Sequence, residues 1–159
     1  MKSLFCKDGL KFIWRFTIVH VATYAAFGII FMLVSSYFDY FSHEPLLSQV
    51  MKTSDALSVR LAVPVQFLRG SLLAFGIFPF REIMLEKPYG WIKLFWLLFV
   101  LTSVGAVIAG PGSIEGFLYT NFEFNPIIGY PEISLQMLAF SWLFWRWQSR
   151  ASNYPNVRI

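Results

Sequence analysis

Two polar residues, Gln66 and Arg69, interrupt an apolar stretch that is long enough to cross a membrane. On a helix, residues at this spacing share one face. A charged side chain inside a membrane is costly, and it normally faces the bundle interior, a cavity or another subunit. We therefore expect Arg69 to organise a polar site, either for binding or conducting an anion or for contacting a polar lipid headgroup.

Further polar residues are expected near Arg69, in the outer half of the membrane. Glu132 is the natural counter-ion for the guanidinium. The predicted cluster consists of Gln66, Arg69, Thr102, Ser103, Glu132 and Gln136. It has a second, purely structural interpretation as an interhelical hydrogen-bond network with one buried ion pair. The sequence leaves the binding and the structural interpretations open.

The sequence contains no pattern typical of an enzyme active site. HExxH, GxSxG and CxxC are all lacking, and a single cysteine cannot form a cysteine-based metal site. His20 is remote from His43, which argues against bis-histidine haem and favours a hydrogen-bonded core histidine. We expect no cofactor, no metal and no catalytic residue, although acidic residues beside Ser113 leave a hydrolytic site at the outer surface open.

Membrane-spanning helices must position these residues, because 57% of the chain is hydrophobic and only 14% is charged. A helix needs about 20 apolar residues to cross a bilayer. The windows that qualify are 12–38, 61–80, 91–109 and 130–147, and residues 148–159 follow as a tail. The chain is therefore predicted to be an all-α integral membrane protein, with four transmembrane helices in one compact bundle.

The distribution of basic residues predicts the orientation of this bundle. Lysines and arginines concentrate near both termini and in the connection around residues 81–93, whereas the other two connections are mainly acidic. Positive charge marks the cytoplasmic side of a membrane protein. We therefore expect the chain in the inner membrane of the cell, with both termini in the cytoplasm. The net charge of +4 is explained by these flanking residues, and we expect no binding to nucleic acid.

Prolines predict irregularities in the second helix. Pro64 and Pro79 each remove a backbone donor, so this helix should be kinked near both of its ends. In the preceding outer connection, an apolar side over about residues 44–53 predicts a short helix lying on the membrane surface.

The second outer connection, residues 110–129, is predicted to be structured. Gly110 and Pro111 should end the third helix. Ser113 can then cap a short helix, with Glu115 in its first turn. We expect this loop to fold back over the side of the bundle that contains Arg69.

A four-helix chain of this size encloses little volume, so it is expected to act as part of an assembly. The bilayer surrounds it, and the partner is either further copies of the chain or a larger membrane complex. The favoured function is a pore or transport component built around the Arg69 cluster. The alternatives are a membrane scaffold that anchors a partner protein and, less favoured, a membrane-embedded enzyme with a site at its outer face.

Overall fold

The computed structural model describes residues 7–34, 56–85, 88–106, 110–119, 121 and 126–151, and within these ranges the chain is helical without strands. The α-helices are α1 (Lys7–Val34), α2 (Leu57–Arg60), α3 (Ala62–Ile77), α4 (Arg81–Leu85), α5 (Gly90–Phe99), α6 (Ile114–Tyr119) and α7 (Pro126–Ala151). A 3-10 turn, Phe78–Phe80, joins α3 to α4, and a π-helical turn, Val100–Val104, follows α5.

Two helical segments are long and apolar enough to cross a membrane. They are α1 and the continuous segment Ala62–Leu85, which comprises α3, the 3-10 turn and α4. The apolar segment Gly90–Val104 is shorter, and α7 is long but less apolar. The four-span bundle and its orientation therefore stay predictions.

The third predicted helix ends earlier than its apolar window suggests. Its backbone changes from α to π hydrogen bonding after Phe99, and Gly105 N donates to Val100 O at 2.7 Å. A Cβ at Gly105 would lie only 2.8 Å from that oxygen. The tight turn at Gly105 therefore ends the regular helix before Gly110 is reached.

The long helices pack in the order α3, α1, α7, α5. The most extensive packing joins α1 to α3, and α7 packs against both α1 and α5. The short helix α4 leads the chain from α3 to α5 and also contacts α7. As a result, α1 lies between α3 and α7.

An aromatic core holds these helices together at one end. The Phe16 ring lies 4.7 Å from the ring of Phe140 and 5.0 Å from that of Phe144, and the Phe12 ring lies 5.4 Å from the ring of Phe78. Edge-on contacts of this kind stabilise helix packing through shape and quadrupole attraction. Within lipid, such packing replaces the hydrophobic effect as the main source of association.

Burial decreases towards the opposite end of the helices. In α1 the last buried residue is Thr23, in α3 the first is Gln66, and in α7 the first with a described side chain is Phe140. The end that holds the start of α1 and the finish of α7 is therefore the tightly packed one.

Of the two prolines expected to kink the second helix, Pro79 lies in irregular backbone, whereas Pro64 lies in the regular first turn of α3. Pro64 is the third residue of α3, directly after a turn at Leu61 that separates α2 from α3. Pro79 occupies the middle of the 3-10 turn.

The predicted surface helix at about 44–53 lies outside the described residues. At the other end of the chain, α7 continues to Ala151, beyond the predicted end at 147.

Candidate functional site

The first polar contact inside the helix assembly joins His20 of α1 to Gln66 of α3. His20 Nε2 donates to Gln66 Oε1 at 3.2 Å, because an amide oxygen only accepts. Gln66 is buried, and the imidazole also meets the Phe140 ring edge-on at 5.9 Å between centroids. The side-chain amide of Gln66 is therefore hydrogen-bonded within the interface between α1 and α3.

A second polar contact lies one turn away in the same interface. The hydroxyls of Thr17 and Ser71 are hydrogen-bonded at 3.2 Å. Between the two contacts, Gly70 allows close approach, since a Cβ there would lie 3.2 Å from Thr17 Cα and 3.1 Å from His20 Cδ2. We call this set, Thr17, His20, Gln66, Gly70 and Ser71, the α1–α3 seam.

Arg69 is not part of this seam, because its side chain is exposed. The buried face of α3 consists of Gln66, Gly70, Ala74 and Ile77. Successive helical residues are about 100° apart, so a residue three positions from Gln66 lies about 60° around the axis. That rotation is enough to bring Arg69 out of the α1 interface and among exposed apolar side chains.

Arg69 and Glu132 do not form the expected ion pair; among the described residues no salt bridge or hydrogen bond joins them. The reason is their relative depth. Gly70 lies beside the Thr17 backbone, and Phe16, the residue before Thr17, contacts Phe140. Arg69 is therefore level with about Phe140, whereas Glu132 is two turns closer to the start of α7, or about 12 Å along that helix.

The other predicted cluster residues lie around the end of α5 and the first part of α7. The Thr102 hydroxyl donates to Leu98 O in its own helix at 2.8 Å, and Ser103 is half-buried in the π-helical turn. The rings of Phe99 and Tyr130 are 6.4 Å apart, which places this turn beside the start of α7. Glu132 and Gln136 are half-buried there.

The six predicted residues are consequently divided between two places. Gln66 and Arg69 belong to α3, and the other four belong to α5, its π-helical turn and α7. Helix α1 separates the two groups because it packs between α3 and α7.

Ser113 organises the loop between α5 and α7. Its Oγ accepts hydrogen bonds from Gly116 N at 2.9 Å and Gly110 N at 3.1 Å, and donates to Gly110 O at 2.8 Å. This side chain therefore caps α6. Gly116 is needed because a Cβ at that position would collide with the Gly110 carbonyl.

Tyr130 connects the loop to α7 through a hydrogen bond. Its hydroxyl donates to Gly112 O at 2.9 Å, and Gly112 adopts a φ of 80°, which favours glycine. Glu115 is half-buried in the first turn of α6 and forms no salt bridge with Arg69 among the described residues. On α6 itself, Phe117 is 88% exposed and Tyr119 is 76% exposed.

Sequence reasoning missed a stripe of buried polar groups on α7. Ser141 Oγ, Trp145 Nε1 and Ser149 Oγ have no hydrogen-bond partner in the described parts of the chain. They recur every four residues and therefore follow one face. Trp145 lies against the start of α5, since its Nε1 is 3.1 Å from a Cβ built at Gly90. The spacing of the two serines within an apolar stretch was the available signal.

Cationic side chains gather at the tightly packed end. Arg15 Nη1 donates to Gln148 Oε1 at 3.1 Å, which ties the start of α1 to the finish of α7. Arg81 stacks 4.0 Å over the Phe78 ring and pairs with Glu82, and Arg146 lies 4.9 Å over the Trp142 ring. Lys7, Lys11 and Arg150 are exposed at the same end.

The described residues contain no group of three or more histidine, cysteine, aspartate or glutamate side chains that could hold a metal ion. No protein-family model, curated protein or solved structure matches the chain.

Proposed function

We propose that the chain is a polytopic membrane protein that acts as a structural subunit of a larger membrane assembly. The apolar side chains exposed on the surface of the protein support a location in the membrane. Only 22% of the most apolar window of α1, and 28% of that of Ala62–Leu85, is buried inside the protein. The core helix of a soluble protein would be mostly buried, whereas these helices leave large apolar side chains such as Leu33 and Leu68 exposed.

The proposed membrane arrangement has four spans and both termini in the cytoplasm. Helix α7 is 26 residues long, or about 39 Å, which exceeds the roughly 30 Å of a bilayer core. The segment Gly90–Val104 is shorter, but it packs along α7 and can cross beside it. The cations at the tightly packed end support a cytoplasmic location for that end.

The exposure of Arg69 is the observation that supports a role in an assembly. Arg69 lies about 4.5 residues, or about 7 Å, from the middle of the segment Ala62–Leu85. An arginine that faces lipid at this depth is expensive, so membrane proteins turn such residues towards protein or water. Because the Arg69 side chain is exposed and not buried against α1, a neighbouring protein is the covering that fits this requirement.

The geometry favours a scaffold or anchor over a pore subunit. A pore lined by Gln66 and Arg69 would need both side chains to face one axis. Gln66 instead faces α1 and is hydrogen-bonded to His20, while Arg69 is exposed. The second candidate, a pore subunit, would use Arg69 alone, at an interface between copies of the chain.

The two functions are separated by studying the purified chain alone. Its oligomeric state is measured in a mild detergent, and ion flux is measured after reconstitution into liposomes. For a scaffold we expect no closed ring and no flux above that of empty liposomes. A symmetric ring whose flux disappears in Arg69→Leu would contradict the scaffold proposal and establish the pore.

A further inference from the structure

We infer that the exposed face of α3 around Arg69 binds a transmembrane helix of a different protein, one that carries a carboxylate at the depth of Arg69. This face, the Arg69 face, consists of Val65, Leu68, Arg69 and Leu72, all exposed and spaced by three and four residues. The inference rests on the proposed assembly function and identifies the contact surface and the chemistry of its partner.

The face has the composition of a helix-docking surface with one charged position. Val65, Leu68 and Leu72 form an apolar stripe on the side of α3 that α1 leaves uncovered. Nearby on α3, Gly76 has open space beside it, with no atom within 4 Å of a Cβ built there. A second helix can therefore approach closely, and a carboxylate in the same layer of the membrane is the acceptor whose charge complements the guanidinium.

A second copy of this chain does not supply that acceptor. Copies inserted in the same orientation keep each residue at a fixed depth, and Glu132 lies about 12 Å outward of Arg69. Asp8 and Glu82 lie at the tightly packed end, and Glu115 lies in the outer loop. In sequence, the remaining acids fall in connections between the long helices: Asp39, Glu44, Asp55, Glu86 and Glu123. Since none of the acids in the described ranges is level with Arg69, we infer that the acceptor belongs to another molecule.

A carboxylate on a helix fits the position of Arg69 better than a lipid phosphate does. The edge of the hydrocarbon core is about 15 Å from its middle, and the Arg69 backbone is about 7 Å from the middle of its segment. Reaching a phosphate would require the side chain to extend over the remaining distance and the bilayer to thin locally. A carboxylate on an adjacent helix removes the need for that distortion.

The test uses a synthetic probe with the full chain in phosphatidylcholine vesicles. The probe is a leucine-alanine transmembrane peptide with one glutamate near its centre, and a peptide with glutamine at that position is the matched control. Association with labelled protein is measured by energy transfer. We expect the glutamate peptide to bind about tenfold more tightly than the glutamine peptide.

Two variants connect this preference to Arg69. In Arg69→Gln the preference should disappear, and in Lys93→Gln, which removes an exposed cation from α5, it should remain. Because both side chains are exposed, neither change disturbs the core, and unchanged helicity verifies that both variants fold.

Equal binding of the two peptides, or a preference that survives in Arg69→Gln, would overturn the inference. Arg69-dependent self-association without peptide would overturn it in favour of a second copy. A preference abolished by adding anionic phospholipid would assign Arg69 to a lipid phosphate instead. If native particles of Arg69→Gln still contain the partner protein, the assembly function stands and only the Arg69 face is wrong.

Discussion

Gln66 and Arg69 are neighbours on α3 with opposite surroundings. One is buried and hydrogen-bonded to His20, and the other is exposed among apolar side chains. Their spacing predicts a shared helical face, but a separation of about 60° places them on different sides of the α1 contact. The polar residue in the interior therefore joins helices of this chain, and the charged residue outside is available to a different molecule.

The His20–Gln66 contact is expected to stabilise the α1–α3 pair. In a double-mutant cycle with His20→Phe and Gln66→Leu, the coupling energy should be about 0.6–1.7 kcal/mol, as for other interhelical hydrogen bonds in membranes. It is measured from unfolding in bilayer-like micelles. A cycle between His20→Phe and Thr102→Val, whose hydroxyl bonds within its own helix, should give additive effects. Additivity in the first cycle would show that the contact contributes nothing.

At the scale of elements, α3 owes its position to close contact with α1. Gly70 lies on the buried face against the Thr17 backbone, whereas Gly76, on the same helix, has open space beside it. The two glycines therefore offer a matched comparison of the same substitution inside and outside the helix interface.

Gly70→Val should destabilise the protein by about 1–3 kcal/mol, because the new side chain overpacks the interface. Gly76→Val should change stability by far less, since nothing within 4 Å opposes it. The measurement is the midpoint of thermal unfolding in detergent for both variants. Equal losses at the two positions would contradict the packing of α1 on α3.

The loop between α5 and α7 is a second element, and the hydroxyl of Tyr130 bonds it to α7. Tyr130→Phe removes the hydrogen bond to Gly112 O and should loosen the loop without disturbing the aromatic core. Loss of this hydrogen bond should lower the stability of the loop by about 1 kcal/mol. Amide hydrogen exchange over residues 110–119 should therefore become about five times faster. Tyr24→Phe on α1 is the control. Unchanged exchange in Tyr130→Phe would mean that the loop holds its position without this contact.

At the scale of the whole molecule, the sequence predicts helices better than it predicts their relations. Composition and apolar windows indicate the helical class, and α1 and the segment Ala62–Leu85 are long and apolar enough to cross a membrane. The relative depth of residues on different helices is harder to predict, because it depends on which residues contact each other across a helix interface. The contacts of Gly70 with Thr17 and of Phe16 with Phe140 separate Arg69 from Glu132. No periodicity within either helix contains that information, and the sequence therefore predicts one site where the structure has two groups of residues.

Orientation also belongs to the whole molecule. In a Cys6→Ser background, a membrane-impermeant maleimide should label Asn121→Cys in intact cells. It should label Arg150→Cys only after permeabilisation, because the cations of that end remain in the cytoplasm. Both positions are exposed, so burial does not limit the reaction. Labelling of Arg150→Cys in intact cells would contradict the proposed orientation.

The mass of the native particle tests the central claim most directly. The chain is extracted from its own membranes together with surrounding lipid, without detergent, and weighed by native mass spectrometry. A structural subunit should appear in a particle that contains at least one different polypeptide in addition to the 18.4 kDa chain. A particle that holds a single 18.4 kDa chain and only lipid would contradict the assembly function.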